Sequence, residues 1–395
     1  MDEDPAGTKG PIGPNRRQLD SRRQSSRPQS FRAFCASGLW YAVAIVLVPV
    51  WWSVSYAQEP IDPRADSVKA REIVQSRTLV NDRLLVQDSV EKGLRYLRAR
   101  QQGGGSIGAR YKVAVSSLAG LSILGAGHLP GQGPHSRTLV DCVGYLEGVA
   151  RTSNYLNESG DGESRMHGHC YAILFLTQIA GTLPKEKEES VGRLIERGVR
   201  VIEGAQSSEG GWYYDAKNND KDEASVTVCA LQAMRAARNV GAHVDSFRIK
   251  QALRYVKRCQ HPDGSVAYSL KEPGRRTFAL TAAAVSTLNA AGVYESNELH
   301  KGLHYLRRQL ARYPTAPWRA AEQEYPYYAN LYTAQALYQD AGELWEQWYP
   351  AVRKHLLSKQ RRDGSWPSNF GDEYGTAMAL LILEVPLGYL PIFQR

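Results

Sequence analysis

The chain has 395 residues, 43% hydrophobic and 23% charged, with 49 Lys and Arg against 40 Asp and Glu. These proportions exclude a wholly disordered, collagen-like or multi-span membrane chain, and five cysteines are too few for a disulfide scaffold. Of the +9 formal charge, residues 1–38 carry +3 (seven basic, four acidic), which leaves +6 on the rest with no dense Lys/Arg block, so nucleic acid is not an expected partner.

Residues 1–38 are rich in Arg, Ser, Pro and Gly and hold too few large apolar side chains to offset the entropy of ordering, so a disordered basic region is expected. An apolar run from Leu39 to Val54 follows, and Ser55-Tyr56-Ala57 ends it. A basic lead, an apolar core and a small-x-Ala ending read as a signal peptide over 39–57, cleaved after Ala57. The alternative is an uncleaved membrane anchor with Trp40, Trp51 and Trp52 at the interfaces. Either way the remainder is expected outside the cytoplasm, soluble in the periplasm after cleavage or tethered to the inner membrane through this segment. Residues 58–88 read as a lead-in to the folded part. Export would permit pairing of Cys142, Cys170, Cys229 and Cys259, but no spacing is diagnostic, and each reads more simply as a small buried residue.

From Ser89 to Arg395 the chain is self-similar at about fifty residues. Amphipathic segments over 93–101, 198–206, 252–260, 302–309 and 351–360 each end in Gln. The glutamines at 206, 260, 309 and 360 are 54, 49 and 51 apart, and the 105 residues from Gln101 to Gln206 leave room for a divergent unit around Val143–Ala150. Glycine-rich turns follow at Gly103–Ser106, Gly210–Trp212, Asp263–Ser265 and Asp363–Trp366, whereas the fifth unit has Ala311–Pro326 there. A second helix, apolar over most of its circumference, is expected in every unit: Val113–Gly125, His169–Ala180, Ser225–Ala237, Phe278–Ala291, Tyr327–Ala341 and Tyr374–Val385. Helices apolar all round are buried, and those with one apolar stripe cover them. The expected fold is therefore all-α: six hairpins closed into an (α/α)6 barrel or toroid over 89–395. An open solenoid is the competing architecture, but the last unit stays apolar through Ala377–Leu383, where an open end would be exposed.

The Gln–x(3–5)–Gly–x–Trp pattern, with its best copies at Gln206–Trp212 and Gln360–Trp366, resembles the prenyltransferase/squalene-oxidase repeat of terpenoid cyclases and protein prenyltransferase β-subunits. Met166–His169, Ser225–Cys229, Glu373–Met378 and Leu390–Arg395 further resemble a subgroup of exported bacterial proteins that carry only this repeat. The resemblance implies a central cavity and, as its occupant, an isoprenoid or other apolar small molecule. It implies an enzyme only loosely, because the cyclase acid segment Asp-x-Asp-Asp-Thr stands here as Asp220-Lys-Asp-Glu-Ala-Ser225. A non-catalytic scaffold for an envelope component is a second reading. A glycan hydrolase or lyase using a pair from Glu163, Asp222, Glu223 and Asp372 is the third.

In such a toroid the turns deliver the N-termini of the inner helices to one rim, where unpaired N–H groups and the positive dipole ends gather. Candidate catalytic residues there are Asp222, Glu223, His167 and His169. Asp222 or Ser225 can equally cap a helix, with Glu223 satisfying its first turn. His167, His169 and Cys170 could hold zinc, although a polar rim histidine is the simpler reading. Tyr171, Tyr214, Tyr328 and Tyr374, among other rim tyrosines including Tyr111, Tyr268 and Tyr325, offer aromatic faces to a cation or a sugar ring. Arg275 and Arg276 could take an anionic group, and Asp372 reads best as an N-cap. Trp212 and Trp366 read as staples inside the turns.

Overall fold

Segments with one apolar stripe alternate with segments apolar all round, and in the computed structural model they become the outer and inner layers of a closed ring. The structure describes residues 83–158, 161–162, 164–217, 220–293, 295–322 and 325–393. The expected basic region, the signal or anchor and most of the 58–88 lead-in lie outside the described residues. Among those described are twelve α-helices. They are α1 (83–99), α2 (Lys112–Gly125), α3 (Ser136–Val149), α4 (Arg165–Ile179), α5 (Lys185–Ala205) and α6 (Ala224–Asn239), then α7 (Ser246–Arg258), α8 (Phe278–Ala290), α9 (Asn297–Leu310), α10 (Pro326–Asp340), α11 (Glu343–Lys359) and α12 (Asp372–Glu384). Among the described residues α1 begins at residue 83, inside the expected lead-in. No described helix is long and apolar enough to cross a membrane.

The even-numbered helices form the inner ring. Each packs on the next in chain order, and α12 packs back on α2, so the ring is closed and the solenoid is excluded. Outer helices α3, α7, α9 and α11 lie on α2, α6, α8 and α10, α5 bridges α4 and α6, and α1 lies against α12 with Gly93 facing Leu380. The four described cysteines are free and buried among these helices.

The repeated Gln and Gly have one mechanical task. Gln101, Gln206, Gln260 and Gln360 each donate from Nε2 to the carbonyl of the glycine four residues on and to a carbonyl of the next outer helix: Thr138, Arg248, Glu298 and Ser89 respectively. The last of these ties the end of the chain to α1. The four glycines, at 105, 210, 264 and 364, all have positive φ, and a Cβ on Gly264 would stand 2.0 Å from the Lys301 carbonyl oxygen. Only glycine lets the turn sit this close to its neighbour. The divergent units lack the device: α3 ends at Val149 with no glutamine, and Gln309 lies within α9, followed by a 3-10 helix over Pro317–Ala321.

One element departs from the all-α expectation. Two short antiparallel strands, β1 (Val266–Ala267) and β2 (Arg276–Thr277), fold the turn before α8 into a hairpin. The Tyr268 N–H donates to the Arg275 carbonyl at 2.7 Å, which fixes both residues above the ring centre.

Candidate active site

All six inner helices bring their first turns, or the residues just before them, to one cavity of about 550 Å3. That volume is in the ordinary range for a small-molecule site. Its wall carries Tyr111, Tyr171, Tyr214, Tyr268, Tyr325, Tyr328, Phe370 and Tyr374, with Ser164, His167, Glu223, Ser225 and Arg275 as the principal non-aromatic polar groups. Tyr214 and Tyr268 share a hydrogen bond of 2.7 Å between their hydroxyls, and the Arg275 guanidinium lies 4.0 Å over the Tyr268 ring. The Tyr332 ring packs on Tyr328 at a centroid distance of 4.6 Å, and its hydroxyl donates to Gln232 and meets the Cys229 sulfur. Burial raises the hydroxyl pKa values of Tyr171, Tyr214 and Tyr328 well above normal, so these groups stay neutral donors.

Glu223 is the N-cap of α6. Its carboxylate accepts from the backbone N–H groups of Ser225 (2.9 Å) and Val226 (2.6 Å), and Ser225 Oγ donates to Oε1 at 2.6 Å. The side chain has no exposed surface, and this burial raises the pKa to about 7 against the lowering effect of those hydrogen bonds. Ser225 Oγ also meets His167 Nε2 at 3.2 Å, and His167 Nδ1 meets Ser164 Oγ at 2.6 Å. His167 lines the cavity, and burial lowers its pKa to about 4, so it is neutral. With Glu223 ionised, Ser225 spends its proton on the carboxylate, which makes His167 Nε2 the donor and Nδ1 the acceptor. With a proton on Oε1 every link can reverse. The line Glu223–Ser225–His167–Ser164 can therefore carry a proton from a sealed carboxyl to the cavity wall.

The other nominated residues are placed differently. Asp222 is buried on the far side of the chain, accepting from Tyr255 Oη (2.6 Å) and Ser207 Oγ (3.0 Å), so it braces the turn against α7. His169 is wholly engaged: Nδ1 accepts from the Leu156 N–H and Nε2 donates to the Gly198 carbonyl, each at 3.0 Å. With both nitrogens committed, His167, His169 and Cys170 cannot share a zinc ion. Arg276 turns outward to Asp263 and Ser265, and Arg275 takes the place at the cavity. Asp372 is the first residue of α12, not its N-cap (Gly371), and pairs with Arg361. Glu163 lies outside the described residues. Trp212 and Trp366 are the expected staples, buried with their indole N–H groups on the carbonyls of Ile202 and Leu356. Ser164 completes the proton line, and no sequence pattern marked it.

Residues 177–338, which contain α6 and its cap, match the squalene-hopene cyclase C-terminal domain family. No curated protein matches the chain. Among solved structures, the α-1,6-mannanase GH76A of Salegentibacter sp. HEL1_6 in complex with α-1,6-mannotriose superposes with a TM-score of 0.56 at 11% identity, over 76% of this chain and 98% of that one. The GH76 α-mannanase of Bacteroides thetaiotaomicron gives 0.51 at 11% identity over 76% and 94%. A type II terpene cyclase from Scytonema gives 0.31 at 13% identity over 78% and 99%, too low for a structural argument. The mannanase likeness is one of fold alone. Residues 177–338 are thus similar to the squalene-hopene cyclase C-terminal domain, and they sit in a closed double ring of helices whose turns carry the glutamine–glycine repeat.

Proposed function

We propose that the protein binds an isoprenoid or similar unsaturated lipid in the tyrosine-lined cavity and transforms it by proton transfer from Glu223. One observation carries this reading: a wholly buried carboxyl at the head of α6 is joined to the cavity by Ser225 and His167. An acid with a pKa of about 7 is half protonated at neutral pH, the condition in which general acid catalysis contributes roughly 10²–10⁴-fold. The aromatic faces suit the positive charge that appears when an alkene is protonated, and neutral tyrosine hydroxyls do not trap it as a thiolate or amine would. The glycosidase reading needs a second carboxylate across the cavity. Among the described lining residues Glu223 is the one carboxylate, and Asp222 and Asp372 are bonded elsewhere. We place the protein outside the cytoplasm on the strength of residues 39–57, a placement that cell fractionation checks.

The test is native mass spectrometry of the purified protein before and after incubation with polyprenoid lipids, with extraction of the product. The wild type should retain a lipid and convert it to a product of altered retention time. Glu223→Gln should bind it and leave it unchanged, and Ala114→Phe, which fills the cavity, should abolish retention. Retention of an oligosaccharide, or conversion that survives Glu223→Gln, defeats the proposal.

A further inference from the structure

On the side of the ring where the inner helices end, Glu91 of α1 meets His128, just beyond α2, and His135, the N-cap of α3. His128 Nε2 lies 3.0 Å from Glu91 Oε1, and His135 Nε2 lies 3.5 Å from Oε2. One ligand atom from each residue falls within 4.8 Å of the other two. We propose that these three side chains bind a divalent metal ion of the zinc class, separate from the cavity and independent of its chemistry.

The spacing is that of ligands around one ion. Zinc takes nitrogen and carboxylate oxygen at roughly 2.0–2.2 Å, so two ligands on a tetrahedral ion stand about 3.3 Å apart. The two histidine separations, each to a different oxygen of Glu91, bracket that value, and one ligand atom from each residue lies within 4.8 Å of the others. As a hydrogen-bonded cluster the arrangement is poor: His135 has no exposed surface, yet its Nδ1 has no partner and its Nε2 reaches the carboxylate only at the outer limit for a hydrogen bond. The connection between the histidines is shaped to converge them. Gly131 and Gly133 within it, and Gly127 just before it, all have positive φ, and the rings meet edge to face at a centroid distance of 4.7 Å. Two imidazoles and one carboxylate leave a fourth position for water, and Glu91 and His128 are half-buried, so an ion has a way in. A bound ion would clip α1 to the α2–α3 connection, beside the seam where the ring closes.

Untagged full-length protein, stripped with chelator, should bind one equivalent of Co(II) with the visible absorption of a tetrahedral complex, and Zn(II) should displace it. Zn(II) at a hundredfold excess over Kd should raise the Tm by about 5 °C. His128→Ala and Glu91→Gln, both at half-buried positions that tolerate truncation, should each weaken binding by at least about tenfold. Exposed His243→Ala should leave it unchanged. No tetrahedral spectrum at one equivalent means a hydrogen-bonded cluster only. A spectrum kept in both ligand variants means adventitious binding elsewhere. Either result overturns the proposal.

Discussion

The third and fourth repeats open their inner helices with the same hydrogen-bond geometry and a different cap residue. In both, a threonine four residues into the turn receives a backbone N–H from the preceding loop (Trp212 to Thr227, Val266 to Thr281) and returns its own proton to the N-cap carbonyl. The cap is Thr277 in α8 and Glu223 in α6, and each accepts from the N–H three residues on. A threonine satisfies that N–H without burying an ionisable group. Glu223 is the more costly solution to a problem the fold solves more cheaply in the next repeat. That excess cost at a cavity-lining position is what the role proposed for Glu223 rests on.

This comparison can be broken at several points. The largest effect is expected at the turns themselves. Trp212→Ala removes a buried indole and its bond to Ile202 and should cost about 4 kcal/mol in urea unfolding, against about 2 kcal/mol for Val266→Ala at the matching place in the fourth repeat. Equal costs would remove the staple role.

Next comes pH. The folded pKa of Glu223 is raised from 4.5 to about 7, so its neutral form stabilises the fold below pH 4.5 and that contribution is lost as pH rises through 7. The loss should be about 3 kcal/mol, and Glu223→Thr should abolish it, making α6 behave like α8. Buried Glu384, also raised, shifts both proteins alike and cancels in the difference. A wild type and variant with parallel pH profiles would show the carboxyl to be solvated.

Gly264→Ala forces a side chain to φ +89 beside the Lys301 carbonyl and should cost about 2 kcal/mol, with Gly103→Ala, which has open space, near zero. The smallest effect is Thr277→Ala, about 1 kcal/mol for a lost cap in urea unfolding. An unchanged unfolding free energy would remove the capping role of Thr277.

Much of the ring was legible because its causes are local. Apolar periodicity marked all six inner helices to within a few residues, and the Gln and Gly positions marked the turns. The β1–β2 hairpin was not legible, because two-residue strands carry no periodicity. At the site, Glu223, His167 and four tyrosines stood among the candidates, but so did Asp222, His169, Arg276 and Asp372, which serve packing or the surface.

The residue types alone determined two layers of helices, a repeat and a polar rim, since helical periodicity and the left-handed glycine turn are properties of short segments. Only the closed ring decided which of two neighbours does what. His167 and His169 differ by two positions, about 200° around a helix, so one meets the cavity and the other the outer layer. Asp222 and Glu223 alternate across extended chain in the same way. Glu91 finds His128 and His135 across 37 and 44 residues because α1, closing the outer layer, is held where the α2–α3 connection passes. A direction that depends on what stands opposite is a property of the assembled ring, and no stretch of sequence contains it.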